Sequence, residues 1–328
     1  MFSYSRFTFC LLLMVACVTG SVFAAGVPSL PSVTWSQVST ATAPSPRMAG
    51  AMAYDPFNGV VVLFGGLDKS AYLNDTWIFD GSNWTQVSTP VAPPIRVAAN
   101  MAYDRNAHQL VMFGGYDGHT HLGDTWIWDS ATMTWSEPTT THHPKGVTGP
   151  SLFTDPLNGR VDMFGGFDGF LYQLITWRWT GSDWRMLHPA ASPSARSAAI
   201  ASTNSGSGSA VLFDGLGDVN PYNTWTFDGA NWTQQFPGVQ PQSLYDAGSA
   251  YDANIGGVVL FGGGHAGIDQ NETWVWTGTN WLQLVPAASP AARESFGMAY
   301  DSSLGRTVIF GGFTGAGYLN DTWILTRP

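Results

Sequence analysis

Arg47, Arg96, Arg196 and Arg293 stand at one recurring position of the chain, where two further copies of the same pattern carry Val147 and Leu244. A guanidinium is permanently charged and presents a planar fork of donors, so a rim of four suits a carboxylate-bearing sugar or peptide. The same side chains also have candidate partners within the chain. The matching later position of each copy holds Asp75, Asp124, Ile175, Asn223, Glu272 and Asp321. The third copy, with Val147 and Ile175, has lost both members together. That coordinated loss favours internal pairing and predicts contact for Arg47–Asp75, Arg96–Asp124 and Arg293–Asp321.

Three other constellations bear on chemistry. Asp117-Gly118-His119-Thr120-His121 places two imidazoles at alternate positions of a loop, where they could join a carboxylate as metal ligands. A polar surface loop has the same composition without a metal, and His265, at a comparable point of the fifth copy, is expected too far away to join. No metal site is expected. Glu294 is the only acid directly after the recurring basic position, with Tyr245 in the same place one copy earlier. A carboxylate there could act as a general base, although a solvated glutamate is the commoner case. Asp162 and Arg178 replace residues that are apolar in most other copies, such as Val62 and Ile78. An unpaired buried charge costs several kcal/mol, so these two exceptions are expected to form a structural ion pair. No phosphate-cradling loop, Ser-His-Asp spacing or paired carboxylates accompany them. Neither catalytic residues nor a cofactor is expected.

These positions are set by a unit repeated six times. The segments VVVLFGG, QLVMFGG, RVDMFGG, SAVLFDG, GVVLFGG and RTVIFGG end at Gly66, Gly115, Gly166, Gly215, Gly263 and Gly312, at intervals of 48 to 51 residues. Each is followed by a Thr-Trp step at Trp77, Trp126, Trp177, Trp225, Trp274 and Trp323, and a second tryptophan set follows at Trp84, Trp135, Trp184, Trp232 and Trp281. Every unit reads as four short strands joined by Gly/Asn/Asp turns. The first is small-residue rich (MAGAMAY), the second is the VVVLFGG type, the third is TWIFD and the fourth begins NWTQV. Small residues suit a crowded first strand near an axis. The aromatics of strands three and four are expected to fill the space between neighbouring units. The chain ends on a third strand, Asp321-Thr322-Trp323-Ile324-Leu325, and the missing fourth, Thr34-Trp35-Ser36-Gln37-Val38, stands at its start.

Of 328 residues, 44% are apolar and only 11% charged, which excludes intrinsic disorder. The net charge of −10 argues against nucleic acid or an anionic membrane as the main partner. Residues 1–24 combine Arg6, an apolar run over Phe7–Val18 and a Val22-Phe23-Ala24 ending. That run is too short to span a bilayer, so an export signal cut after Ala24 is expected, with lipid attachment at Cys17 the lesser alternative. Both cysteines, Cys10 and Cys17, lie in this segment, which leaves the mature chain without disulfides or thiolate chemistry.

On the repeated Gly-Gly and Trp landmarks, the chain resembles the kelch-repeat family over roughly residues 33–328. Asp214 in place of the first glycine in the fourth unit departs from that pattern, as do small residues where many kelch repeats carry histidine. The resemblance implies an all-β, six-bladed propeller of four antiparallel strands per blade, closed by the N-terminal strand completing the last blade. The expected organisation is a signal peptide at 1–24, a linker at 25–32 and blades near 47–88, 96–138, 147–188, 196–236, 244–285 and 293–328 plus 33–39. It also implies a binding module for a protein or glycan; with the export signal of residues 1–24, a secreted or periplasmic monomer without membrane insertion is expected. The chain is similar to the central domain of galactose oxidases, but their copper site needs a cysteine that the mature chain lacks. An enzyme resembling sialic-acid mutarotases is the alternative.

Strand alternation places the 2–3 and 4–1 loops on one face, and the opposite face is expected to carry only tight turns of little shape. The expected ligand-contact set on the loop face is Arg47, Arg96, Arg196, Arg293, Asp68, Asp117, Asp168, Tyr116, Phe167, His119 and His265, with Tyr72, Phe170 and His121 nearby. Several Asn-X-Thr sequences, such as Asn83-Trp84-Thr85, recur with the repeat and are explained by it.

Overall fold

The computed structural model describes residues 32–217, 219 and 222–327. The expected signal segment, its cleavage point and all of the 25–32 linker but its last residue lie outside the described residues. Each repeat folds into a four-stranded antiparallel sheet whose strands follow chain order outwards from the axis. Blade one comprises Ala51–Asp55, Val60–Leu67, Tyr72–Phe79 and Trp84–Val87. Blades two to five repeat this order, with inner strands Asn100–Asp104, Ser151–Thr154, Ile200–Asn204 and Gly248–Asp252. Blade six draws Gly297–Asp301, Arg306–Phe310 and Thr322–Thr326 from the end of the chain and Thr34–Val38 from its beginning. Thr34 pairs with Thr326 and Val38 with Thr322, so the terminal sheet is complete only when both ends of the chain meet. The inner strands pack side by side in a closed cycle, Ala51–Asp55 lying between Asn100–Asp104 and Gly297–Asp301.

The second strands are continuous apolar runs because neighbouring blades cover both of their faces. Val61, Val62, Leu63 and Phe64 are all at most 1% exposed. At each junction between blades, the Phe that precedes the glycine pair meets the outer-strand Trp of the next blade. The pairs are Phe64–Trp135, Phe113–Trp184, Phe164–Trp232, Phe213–Trp281, Phe261–Trp35 and Phe310–Trp84, with ring centroids 4.8 to 5.5 Å apart. The same indoles donate Nε1–H across the junction to Thr76, Thr125, Thr176, Thr224, Thr273 and Thr322 at 2.8 to 3.1 Å. This explains the threonine of every Thr-Trp step: it satisfies a buried indole donor that would otherwise cost about 1–3 kcal/mol.

The Thr-Trp set is less enclosed: Trp126 and Trp274 are buried, whereas Trp77, Trp177, Trp225 and Trp323 are half-buried and pack against the margins of the cores between blades. Five of the six Thr-Trp indoles instead donate to the acid or amide two residues earlier, as in Trp77 to Asp75 at 2.7 Å. The deepest strand-three residues of the junctions stand two positions later, among them Phe79, Trp128, Trp179 and Trp276.

The two sequence oddities have local explanations. Asp162 and Arg178 face each other in register across blade three. The guanidinium donates Nε–H and Nη2–H to the two Asp162 oxygens at 2.7 Å each, and Nη2 also reaches the buried carboxylate of Asp155. Asp214 takes the left-handed backbone of the glycine it replaces, with φ of 51°, a conformation that Asp tolerates better than most residues. In the other blades the N–H of the strand-one start is accepted by a 2–3 loop carbonyl, as Arg96 is by Leu73. Blade four has a loop one residue shorter, and there the Asp214 carboxylate accepts the N–H of Leu244 instead.

Just before the inner strands, Ala49, Ala98, Gly149, Ala198, Asp246 and Ser295 all adopt φ between 50° and 58°. Each donates its N–H to the carbonyl of its counterpart in the preceding blade, and Ala49 donates to Ser295, so six backbone hydrogen bonds run head to tail around the axis. The left-handed conformation costs non-glycine residues about 1 kcal/mol or more each, and this cycle of bonds offsets it.

Candidate binding face and axial mouth

An axial channel of about 590 Å³ runs along the inner strands of all six blades. Its upper end, on the side of the 2–3 loops, is bounded by the hydrogen-bonded ring from Ala49 to Ser295. Directly outside that ring stand Met48, Val97, Thr148, Ser197, Tyr245 and Glu294, each bridged to the first residue after a glycine pair. The lower end corrects the expectation of a featureless face. Tyr54, Tyr103, Tyr251 and Tyr300 line the channel there, and the Tyr54 hydroxyl accepts the backbone N–H of Ser303 in the neighbouring turn at 3.2 Å. These aromatics brace turns as well as shape the exit.

The expected arginine–carboxylate pairs all form. Arg47 meets Asp75 at 2.6 and 2.8 Å, Arg96 meets Asp124 at 2.8 and 2.7 Å, and Arg293 meets Asp321 at 2.6 and 2.9 Å. Arg196 binds the Asn223 carbonyl oxygen at 3.0 Å. In each, Nη1 also donates to the backbone carbonyl at the first position of the glycine pair, as Arg47 does to Gly65. All four guanidiniums are at most 2% exposed. The geometry therefore places these arginines beneath the rim as braces, with their donors occupied inside the chain and not offered to a ligand.

The three loop aspartates are likewise engaged locally. Asp68 accepts the N–H groups of Ser70 and Ala71, Asp117 those of His119 and Thr120, and Asp168 those of Phe170 and Leu171. These are side-chain-capped turns. The Lys145 ammonium at 2.5 Å and the loop N–H groups hold Asp168 at about 2. His119 is exposed, whereas His265 contacts the Ser243 carbonyl at 2.7 Å through Nδ1. Among the described residues no group of His, Cys, Asp and Glu has the arrangement of a metal site.

Tyr116 and Phe167 are brought together through a residue that was not among the expected ligand contacts. Tyr72 meets Tyr116 edge-on with centroids 6.2 Å apart, Tyr116 meets His121 at 5.1 Å, His121 meets Phe167 at 5.8 Å and Phe167 meets Tyr172 at 4.9 Å. The rings form one arc over blades one to three. Gly118 and Gly169 permit it: a Cβ on Gly118 would stand 2.9 Å from the Tyr72 ring, and one on Gly169 2.8 Å from His121 Nε2. Beside the arc, Phe170, Leu171 and Leu174 are 88%, 62% and 52% exposed.

On blades five and six the rim is acidic. Asp246 occupies the ring position held elsewhere by Ala, Gly or Ser, a substitution visible in the alignment of repeats but overlooked among residues chosen for their loops. Burial, followed by repulsion from Asp246 and Asp269, pushes Glu294 up to about 7. Burial likewise pushes Asp246 up to about 6.

A closed ring of six antiparallel blades with loops gathered around an axial mouth defines a propeller of the interaction-module class. A family model described as the KLHDC2/KLHL20/DRC7 Kelch-repeats domain matches residues 27–215, more than half of the chain. The chain belongs to the kelch-repeat family. No curated protein matches it. Among the described residues no helix is long and apolar enough to cross a membrane.

Proposed function

We propose that the chain is an exported kelch propeller that binds a protein segment or a glycan on the face of its 2–3 and 4–1 loops, centred on the axial mouth. The aromatic arc with its exposed Phe170, Leu171 and Leu174 carries this reading. Large apolar groups left at loop tips beside a cavity are the usual mark of a recognition surface. Export is supported by the pattern of residues 1–24 and by the confinement of both cysteines to that segment. The mature protein is expected to begin at Ala25. N-terminal sequencing that returned Met1 from material outside the cytoplasm would count against cleavage.

Screening a glycan array, a sialic-acid panel and a displayed peptide library identifies the class of ligand. Against the ligand found, Tyr116→Ala and Phe167→Ala are each expected to weaken binding about tenfold or more, the scale of an interface anchor. Leu157→Ala, at an exposed turn of the opposite face, should leave binding unchanged. The reverse pattern would show that the partner uses the other face. Leu157 is a better control than Asn58 or Asn158, whose side chains brace their own turns through Asp55 and Asp155. The mutarotase alternative gains one feature, a carboxyl at Glu294 suited to proton exchange near neutrality. It lacks support from the rim arginines, which are engaged within the chain and so do not offer a cation to a sugar carboxylate. Faster anomer interconversion by the protein in the sialic-acid panel would replace the binding reading with the enzymatic one.

A further inference from the structure

The chemistry of the partner can be read from what the mouth leaves uncompensated. The rim arginines are paired, and Lys145 is held by Asp168 on blade three. Around blades five and six the remaining charge is negative. The Glu294 carboxylate has neither a hydrogen bond nor an ion pair among the described residues. Its Oε2 lies 2.2 Å from the point where a Cβ of Gly264 would stand, and the Tyr245 ring lies 2.5 Å from the same point. The absence of a side chain at Gly264 thus makes room for both. Asp269, opposite Gly264 in that hairpin, receives the backbone N–H of Gly315 at 2.9 Å but no cation. Asp246 sits in the ring itself, with a hydrogen bond from the Ser295 side chain but no cation among the described residues. Carboxylates held partly out of water without a counter-ion weaken a fold, and here Asp246 also lines the cavity, on the blades that face the aromatic arc across the mouth. The chain's net charge of −10 adds long-range attraction for a basic partner.

We propose that the axial mouth receives an extended partner segment in which one Lys or Arg is flanked by aliphatic or aromatic residues. Glu294 and Asp246 take the cation, and the neighbouring apolar side chains lie on Tyr116, His121 and Phe167. This assignment rests on the binding reading given above and adds the identity of the group that enters the mouth.

A random dodecapeptide display library panned on the protein tests it. Enriched peptides are expected to share one Lys or Arg within an apolar stretch. Glu294→Gln and Asp246→Asn should each weaken a selected peptide about tenfold, and the double variant should lose the preference for a cation while keeping that for apolar residues. Asp228→Asn, at an exposed acid in a 3–4 turn of the opposite face, should have no effect. Enrichment of neutral or acidic apolar peptides, still lost in Tyr116→Ala, would overturn the cation assignment and leave the binding face standing. Peptide binding indifferent to both the acids and the arc, or no enrichment at all, would overturn both. Stability provides a second readout. A carboxyl whose folded value is raised destabilises the fold as pH climbs through that value, so both amide variants should melt no lower than wild type at pH 8, and the gain should vanish near pH 4. A lower melting temperature for both at pH 8 would mean that the acids are satisfied within the chain, and would also overturn the proposal.

Discussion

Removal of residues 33–40 is expected to abolish cooperative folding at ordinary temperatures. The deletion takes away Thr34–Val38, leaving Thr322–Thr326 as an unpaired edge and opening the sheet that joins the N-terminal strand to the last three. It also removes Trp35, which is 1% exposed, packs 5.0 Å from Phe261 and donates to Thr273 at 3.1 Å. Burial of a tryptophan contributes roughly 4–6 kcal/mol, and whole domains are stable by only about 5–15 kcal/mol. The truncated protein should be insoluble or melt many degrees lower, with edge-to-edge aggregation as the characteristic failure. A truncated protein with an unchanged melting curve would show that closure by this strand is dispensable.

Replacing Arg178 by Met should cost about 3–5 kcal/mol, because the buried carboxylates of Asp162 and Asp155 then share no cation. At about 2–4 °C per kcal/mol for a chain of this size, the midpoint should fall on the order of 10 °C. The sign of the pH dependence follows from burial, which pushes Asp162 up to about 6 even with the guanidinium in place. Without Arg178 nothing comparable favours the ionised form, so the deficit should be smallest below the ordinary carboxylate range and grow as pH rises through 6. The double replacement Asp162→Val with Arg178→Ile restores the apolar pair that blade one has in Val62 and Ile78. It should recover most of the loss, since a well-packed apolar pair replaces a buried ion pair at little cost. Equal deficits for the single and double variants, as judged by thermal melts at pH 5 and pH 8, would contradict this account.

The blades and their closure were legible because a fixed spacing of Phe-Gly-Gly, Thr-Trp and a second Trp leaves little freedom in how equivalent units pack. Arg47–Asp75 and its counterparts were legible from blade three, where both partners vanish together. The role of the threonine in each Thr-Trp step was hidden, because its indole partner comes from a different repeat. The loop aspartates were misleading for a related reason: Asp68, Asp117 and Asp168 look like ligand groups in a sequence, but backbone N–H groups two and three residues on claim them. His121 joins Tyr116 to Phe167 only because hairpins of adjacent blades lean together across Gly118 and Gly169. Such contacts between loops depend on tilt, which the repeat spacing does not encode.

The six head-to-tail hydrogen bonds from Ala49 to Ser295 act as an inextensible hoop. A chain of donors with no first or last member cannot fray from an end, and widening it by any useful amount means breaking at least one link outright. The bore at the entrance is therefore fixed before any partner arrives. Size exclusion is set by the hoop, while accommodation is left to the hairpins that rise outside it. A partner too wide for this eyelet must sit on top of the molecule, held by the hairpins alone.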